Sequence, residues 1–254
     1  MPEHANILTL FLAYLKDTLQ ANSHRLGDTL VGGQEPSWHS WEPVTAAALV
    51  MELIIALAVS VRSKVVSESA VIPGETLNTQ SFIEAFFEYF YELAKSVMDT
   101  ERAKKYFPII GGSAIFVFVS NVLALIPGMP VPTSNLNVTL GCALVVFLAF
   151  NIYGIKEQGM GYIKHLMGPA WYLAWLIFPV EIISLCVRPV TLAIRLMLNM
   201  AVDHLILSIF LGLCAVLVPI PVMVLGCLVV LVQTLVFTLL TCIYIGLATE
   251  HEAH

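Results

Sequence analysis

Four apolar runs, Val44 to Val61, Ile109 to Ile126, Val138 to Ile155 and Val222 to Leu247, are each long enough to cross a bilayer core of roughly 30 Å as a helix. In hydrocarbon a helix satisfies its own backbone, so these runs make an all-α integral membrane protein the expected fold. Composition agrees: 58% of residues are hydrophobic and 12% are charged, against about a quarter charged in soluble domains. Mean hydropathy is +0.86. A fifth stretch, 170 to 217, is apolar over 48 residues, which would make a helix of about 72 Å at 1.5 Å per residue. It must tilt steeply or break.

With no internal repeat, 1–254 reads as a single membrane domain, with 1–43 as an external amino-terminal region. That region lacks a basic stretch before its apolar run Ile7 to Leu15 and a small-residue cleavage site after it, so it is expected to hold an amphipathic helix rather than a signal peptide. Cys142, Cys186, Cys214, Cys227 and Cys242 lie in apolar segments without a CxxC pair, and read as small buried hydrophobes rather than disulfides or metal ligands. No metal or cofactor motif is present. The net charge of −6 and the acidic bias of the loops give no case for nucleic-acid binding.

Basic residues set the orientation. Arg62, Lys64, Lys95, Arg102, Lys104, Lys105, Lys156 and Lys164 all fall on one side if the chain crosses five times, while the turns at 127–135 and 218–222 carry none. The amino terminus is then outside and the carboxyl terminus cytoplasmic. A six-crossing version, broken near Arg188-Pro189, is the competing topology.

Between the first two spans, 81–99 begins with a Ser81-x-x-Glu84 capping box. Glu84, Glu88, Glu92, Lys95 and Asp99 then share one helical face opposite Phe82, Phe86, Phe87, Phe90 and Leu93. The expectation is an amphipathic helix along the cytoplasmic membrane surface; packing on the protein's own elements gives the same pattern.

The long segment holds the charges that need a reason. At 100° per residue Glu181, Ser184, Arg188, Thr191, Arg195 and Asn199 fall within about 80° of one another. His204 points to the opposite side and Asp203 lies between. An arginine near a helix centre costs roughly 2.5–3.5 kcal/mol on insertion scales, so it faces a bundle interior, a wet cavity or a partner. The bland reading of Arg188 is snorkelling to the interface with Glu181 as its pair. For Arg195 it is an ion pair with Asp203 or Glu181, with Gln233 on the last span as a further neighbour. Glu52, Asn121 and Asn151 read as helix-helix hydrogen-bonding groups as readily as functional ones. His204 beside Asp203 could be an ordinary interior histidine or a proton-exchanging group.

"RPVTLAIRLMLNM" at 188–200, "VQTLVFTLLTCIYI" at 232–245 and "PTSNLNVTL" at 132–140 resemble, in order and spacing, the signatures of the a subunit of F-type rotary ATP synthases, from about residue 40 to 250. The resemblance implies a long tilted helix, 170–217, in a hairpin with 222–247, and a non-catalytic membrane subunit that moves protons. It implies that Arg195 faces a ring of c subunits bearing carboxylates, with Gln233 across from it. Asn199 and His204 would serve the outer half-channel, and Glu181 and Ser184 the cytoplasmic one; the two helix faces add Asp203 to the outer set. It also implies a b-subunit peripheral stalk, the rest of the synthase and membrane lipid as partners, a place in the cell inner membrane, and no cofactor. The sequence departs from the pattern at Leu198, where a small residue is usual, at Asp203-His204, and at Gly226, where a channel acid or histidine is common. Asp203 is the carboxylate available to stand in for Gly226. The alternative, a secondary transporter, predicts discontinuous helices and internal repeats.

Overall fold

The structure, a computed structural model, describes residues 7–14, 16–22, 41–65, 79–126, 129, 132–159, 161, 174–213 and 219–249. Among them all regular structure is helical: α1 (Ile7–Tyr14), α2 (Lys16–Asn22), α3 (Glu42–Val65), α4 (Thr79–Val97), α5 (Thr100–Ala124), α6 (Leu136–Gln158), α7 (Ala174–Leu213) and α8 (Pro219–Thr249), with a 3-10 turn at Pro132–Ser134. Five of these helices, α3, α5, α6, α7 and α8, are long and apolar enough to cross a membrane. The expected external region 1–43 falls largely outside the described residues, as do 170–173, 214–217 and the tail 250–254.

The six-crossing topology fails on α7, which runs unbroken through Pro179 and Pro189. Each proline removes one backbone donor, a loss that membrane helices tolerate where neighbours pack against them. Forty residues give about 60 Å of helix, twice the hydrocarbon thickness, so α7 must cross obliquely.

Local chemistry sets the ends of α6. The Asn135 side chain accepts from the Asn137 N–H at 2.9 Å, and Gly159, at φ 55°, donates its N–H to the Ile155 carbonyl at 2.8 Å. A residue with a Cβ would resist that left-handed stop. The expected capping box at 81–84 does not form, because α4 starts at Thr79 and Ser81 already lies in its first turn; Glu84 instead accepts from Gln80 Nε2 at 2.9 Å.

The apolar face of α4 is covered by the protein itself. α4 runs back along α5, with Phe86 and Phe82 against Phe118 at 5.1 and 6.2 Å between centroids and Phe87 against Phe107 at 6.1 Å, and it also packs on α8. Glu84, Glu88 and Glu92 stay exposed on the other face. Lys95 donates to Glu92 at 2.6 Å, a hydrogen bond that holds its ammonium above the ordinary lysine range.

The core lies where α5, α6, α7 and α8 meet, around Tyr106, Ile110, Val117, Phe150, Leu192, Leu196, Phe237 and Ile245. Cys242 is buried in it as expected, whereas Cys186 and Cys227 sit on exposed faces, because the helices that carry them are covered on one side only. At one end, Tyr106 donates to Glu157 Oε1 at 2.7 Å, Lys105 bonds the same oxygen, and Gln158 Nε2 donates to the Ala248 carbonyl at 3.3 Å. These bonds tie the start of α5, the end of α6 and the end of α8 together.

Candidate functional site on the long helix pair

α7 packs on α6, α8 and the 132–134 turn. Its buried stripe is Leu192, Ala193, Leu196, Met200 and Leu207, spaced as one helical face. The expected polar stripe runs along the edge of that face. Glu181, Ser184, Arg188 and Asn199 are half-buried, and Thr191 and Arg195 are exposed.

Arg195 projects among the exposed apolar residues Val187, Val190, Ile194, Leu198 and Val202. Among the described residues it makes no hydrogen bond or ion pair, so pairing with Asp203 or Glu181 is absent. Gln233 does not serve it either. Its Oε1 accepts from Asn199 Nδ2 at 2.6 Å, and its Nε2 is buried without a partner among the described residues. Asn199, four residues after Arg195, lies at the edge of the buried stripe, about 60° from Leu196 and 100° from Met200 on its inner side, which brings it against α8. The polar pair that forms across the helices is therefore Asn199–Gln233, with Arg195 left outside it.

Arg188 does not pair with Glu181. Its guanidinium lies 5.5 Å from the centroid of the Tyr244 ring on α8, and Phe150 backs that ring at 6.0 Å. A guanidinium over an aromatic face keeps its charge with little need of a counter-ion. Glu181 and Ser184 are left half-buried and without an ionic partner among the described residues.

The threonines of α8 do not extend the polar site. Thr234, Thr238 and Thr241 donate to the carbonyls four residues before them, of Val230, Thr234 and Phe237, at 2.8, 2.8 and 2.9 Å. Their hydroxyls are spent on their own helix.

A second polar cluster lies further along. A cavity of about 40 Å³ is bounded by Asn121 of α5, Met200 and Asp203 of α7, and Gly226 of α8, among others. Asn121 is wholly buried; its Oδ1 accepts from Thr133 Oγ1 at 3.1 Å and its Nδ2 has no partner among the described residues. Asp203 is half-buried. A Cβ on Gly226 would come within 2.8 Å of Leu125 Cδ2, so the glycine allows α8 to lie close to α5 there. The backbone of His204 is helical, and its side chain lies outside the described ones. Thr133 escaped the sequence reading because its partner is 12 residues away in a turn; the only signal was its place in "PTSN". Asn151 binds back to the Phe147 carbonyl at 2.7 Å, and Glu52 lies on α3, apart from both clusters.

Among the described residues no group of three or more potential ligands could hold a metal ion.

The family model for the ATP synthase A chain matches residues 44–246. ATP synthase subunit a of Sorangium cellulosum is 56% identical over 256 residues, covering 100% of both chains. Subunit a of Trichlorobacter lovleyi is 40% identical over 245 residues, 96% of this chain and 98% of its own. That of Geobacter sulfurreducens is 46% identical over 175 residues, 69% of this chain and 76% of its own. With a family match that reaches all five membrane helices and a relative 56% identical over its full length, the chain belongs to the ATP synthase A chain family.

Proposed function

We propose that this chain is the stationary membrane subunit that couples proton flow to rotation in an F-type ATP synthase. It performs no catalysis itself. The observation that carries the reading is Arg195, an exposed and unpaired guanidinium within a membrane helix, set in an apolar stripe. Such a charge needs a partner from outside the chain. A carboxylate on a passing rotor of c subunits meets the need, and the apolar stripe gives that rotor a surface without fixed hydrogen bonds.

The chemistry follows from what arginine cannot do. It stays protonated at any physiological pH, so it forms a permanent barrier to protons and holds the passing carboxylate ionised. Past the barrier the carboxylate takes a proton from one aqueous inlet, becomes neutral and can face lipid without the cost of a bare charge. It gives the proton up to a second inlet after the ring has turned. Each charge crossing contributes roughly 2.3 kcal/mol per 100 mV.

Asp203, His204, Asn199 and Gln233 form the inlet open to the outside in this reading. Its support is the cavity at Asn121, Asp203 and Gly226, whose ~40 Å³ exceeds the roughly 10–15 Å³ that one water needs. Gly226, where α8 closes on α5, borders the cavity, and Asp203 supplies the carboxylate. Glu181 and Ser184 form the cytoplasmic inlet, where Arg188 is occupied by Tyr244 and so leaves Glu181 free to exchange protons. A peripheral stalk of b subunits holds the chain still, in the cell inner membrane, with its amino terminus outside and its carboxyl terminus in the cytoplasm.

The test is ATP-driven acidification of inside-out vesicles whose synthase carries Arg195→Ala and is assembled to the normal level. Loss of acidification is expected. Normal acidification would reduce Arg195 to a packing residue and remove the reading.

A further inference from the structure

The corner where α4 gives way to α5 carries basic side chains that the transport path does not use. Beside it lies a cavity of about 580 Å³, walled on one side by Lys95, Met98, Thr100 and Arg102 and on the other by Ile243 and Leu247 of α8. The two membrane spans that border it end at its level, one beginning at Thr100 and the other stopping at Thr249, so the cavity opens at the depth of lipid headgroups. Its cations are the more sheltered members of their ion pairs. Lys95 bonds Glu92 and Arg102 bonds Asp99, each at 2.6 Å, yet the basic side chains are 30% exposed and the acidic ones 62% and 74%. Exposed pairs of this kind bind weakly, and an ammonium or a guanidinium has more donors than one carboxylate oxygen takes. Lys104, one turn after Thr100 on the same face, is exposed and makes no hydrogen bond or ion pair among the described residues.

We propose that this cavity holds the headgroup of an anionic phospholipid, its phosphate on Lys95 and Arg102 and its acyl chains running along α8 past Leu247 and Ile243. A phosphate can accept from both cations at once and so bridge α4 and α5, whereas Glu92 and Asp99 each hold only the cation one turn away. Basic pockets between membrane helices at headgroup depth take such lipids, and the apolar wall of Met98, Ile243 and Leu247 receives the start of the chains. A free phosphate would use the cations and leave that wall in water. A zwitterionic headgroup would set its own cation beside these two, which makes a headgroup of net negative charge the better occupant.

The test uses the intact complex in phosphatidylcholine vesicles that contain a trace of photo-reactive lipid. The probe is either phosphatidylglycerol or phosphatidylcholine, each with the same diazirine near the glycerol end of one acyl chain. Adducts on residues 239–249 of α8 are measured by peptide mass spectrometry and scaled to the label taken up by the whole complex. The phosphatidylglycerol probe should label that stretch about fivefold more than the phosphatidylcholine probe, as one basic contact at a membrane surface implies. Lys95→Gln with Arg102→Gln should bring the ratio to about one, and Lys95→Arg with Arg102→Lys should keep it. Both residues are partly exposed, so assembly should be normal. Equal labelling by the two probes in the native complex, or a preference that survives loss of both cations or disappears on exchanging them, would overturn the proposal. A preference abolished by excess inorganic phosphate would make free phosphate the occupant and overturn the lipid. Residues 239–249 left without label while the rest of the complex takes it up would show that another subunit covers the cavity, and would overturn it as well.

Discussion

Two places on this chain put charge into or beside an apolar wall, and they handle it in opposite ways. Where α5 begins and α6 ends, Lys105 and the Tyr106 hydroxyl converge on Glu157, so each charged or polar group has its partner within the chain. In the middle of α7, Arg195 has none. The first arrangement spends its charges on holding helices together; the second keeps one in reserve for something that arrives from outside. Substitutions at the two places should therefore fail differently, one in transport and the other in stability.

The largest effect is expected from Arg195→Lys, a sharper test than alanine. It keeps the positive charge but allows deprotonation in an apolar setting, so proton flux coupled to ATP hydrolysis should fall to near background while the assembled complex survives detergent extraction. Coupled flux at the native rate would mean that any cation suffices and that the permanence of the charge is irrelevant. Next comes Asn199→Leu. It strands the Gln233 carbonyl oxygen in a buried site, at a cost of about 1–3 kcal/mol, and should slow flux and lower thermal stability together. Asn199→Leu with Gln233→Leu should recover the stability and not the flux. Recovery of both would show that the pair only packs the helices.

At the other place, Glu157→Gln removes the charge that Lys105 and Tyr106 share. Thermal stability should drop by about 0.5–1.5 kcal/mol, the range for one hydrogen bond at a part-exposed site where solvent screens the charge, while proton flux per assembled complex stays near the native value. A loss of flux without loss of stability would move Glu157 into the proton path.

Much of this contrast could be read in the sequence, and the reason is the bilayer. Helices that must satisfy their own backbone leave long apolar runs, so all five spans were visible, and an arginine among them stands out against its cost. The polar stripe of α7 was legible from angular spacing alone. What stayed hidden depends on which neighbour a side chain finds. Glu181 and Tyr244 are both reasonable partners for Arg188, and the choice is made by the crossing of α7 over α8. Gln233 could have served Arg195 or Asn199; the packing of Leu196 and Met200 turned Asn199 toward it. The Asn121–Thr133 bond and the cavity beside Asp203 need three helices and a turn in place, and no periodicity encodes them.

The smallest effect is expected at Thr238, and it bears on how far the polar site reaches along α8. Thr234, Thr238 and Thr241 set a row of hydroxyls about one helical turn apart, the spacing a proton relay would need. Each hydroxyl, however, donates to the carbonyl one turn before it. A relay hydroxyl must be able to turn its proton toward a neighbour, and these hold theirs in bonds that a helix in an apolar medium has little reason to release. Thr238→Val keeps the branched shape, removes only that local bond, and leaves no acceptor unpaired, since the Thr234 carbonyl keeps its ordinary helix bond. Stability should change by less than about 1 kcal/mol, and flux should match the native rate across the pH range. A tenfold fall in flux at unchanged stability would turn the threonine row into part of the conduction path and extend the unpaired, functional region of the molecule from α7 onto α8.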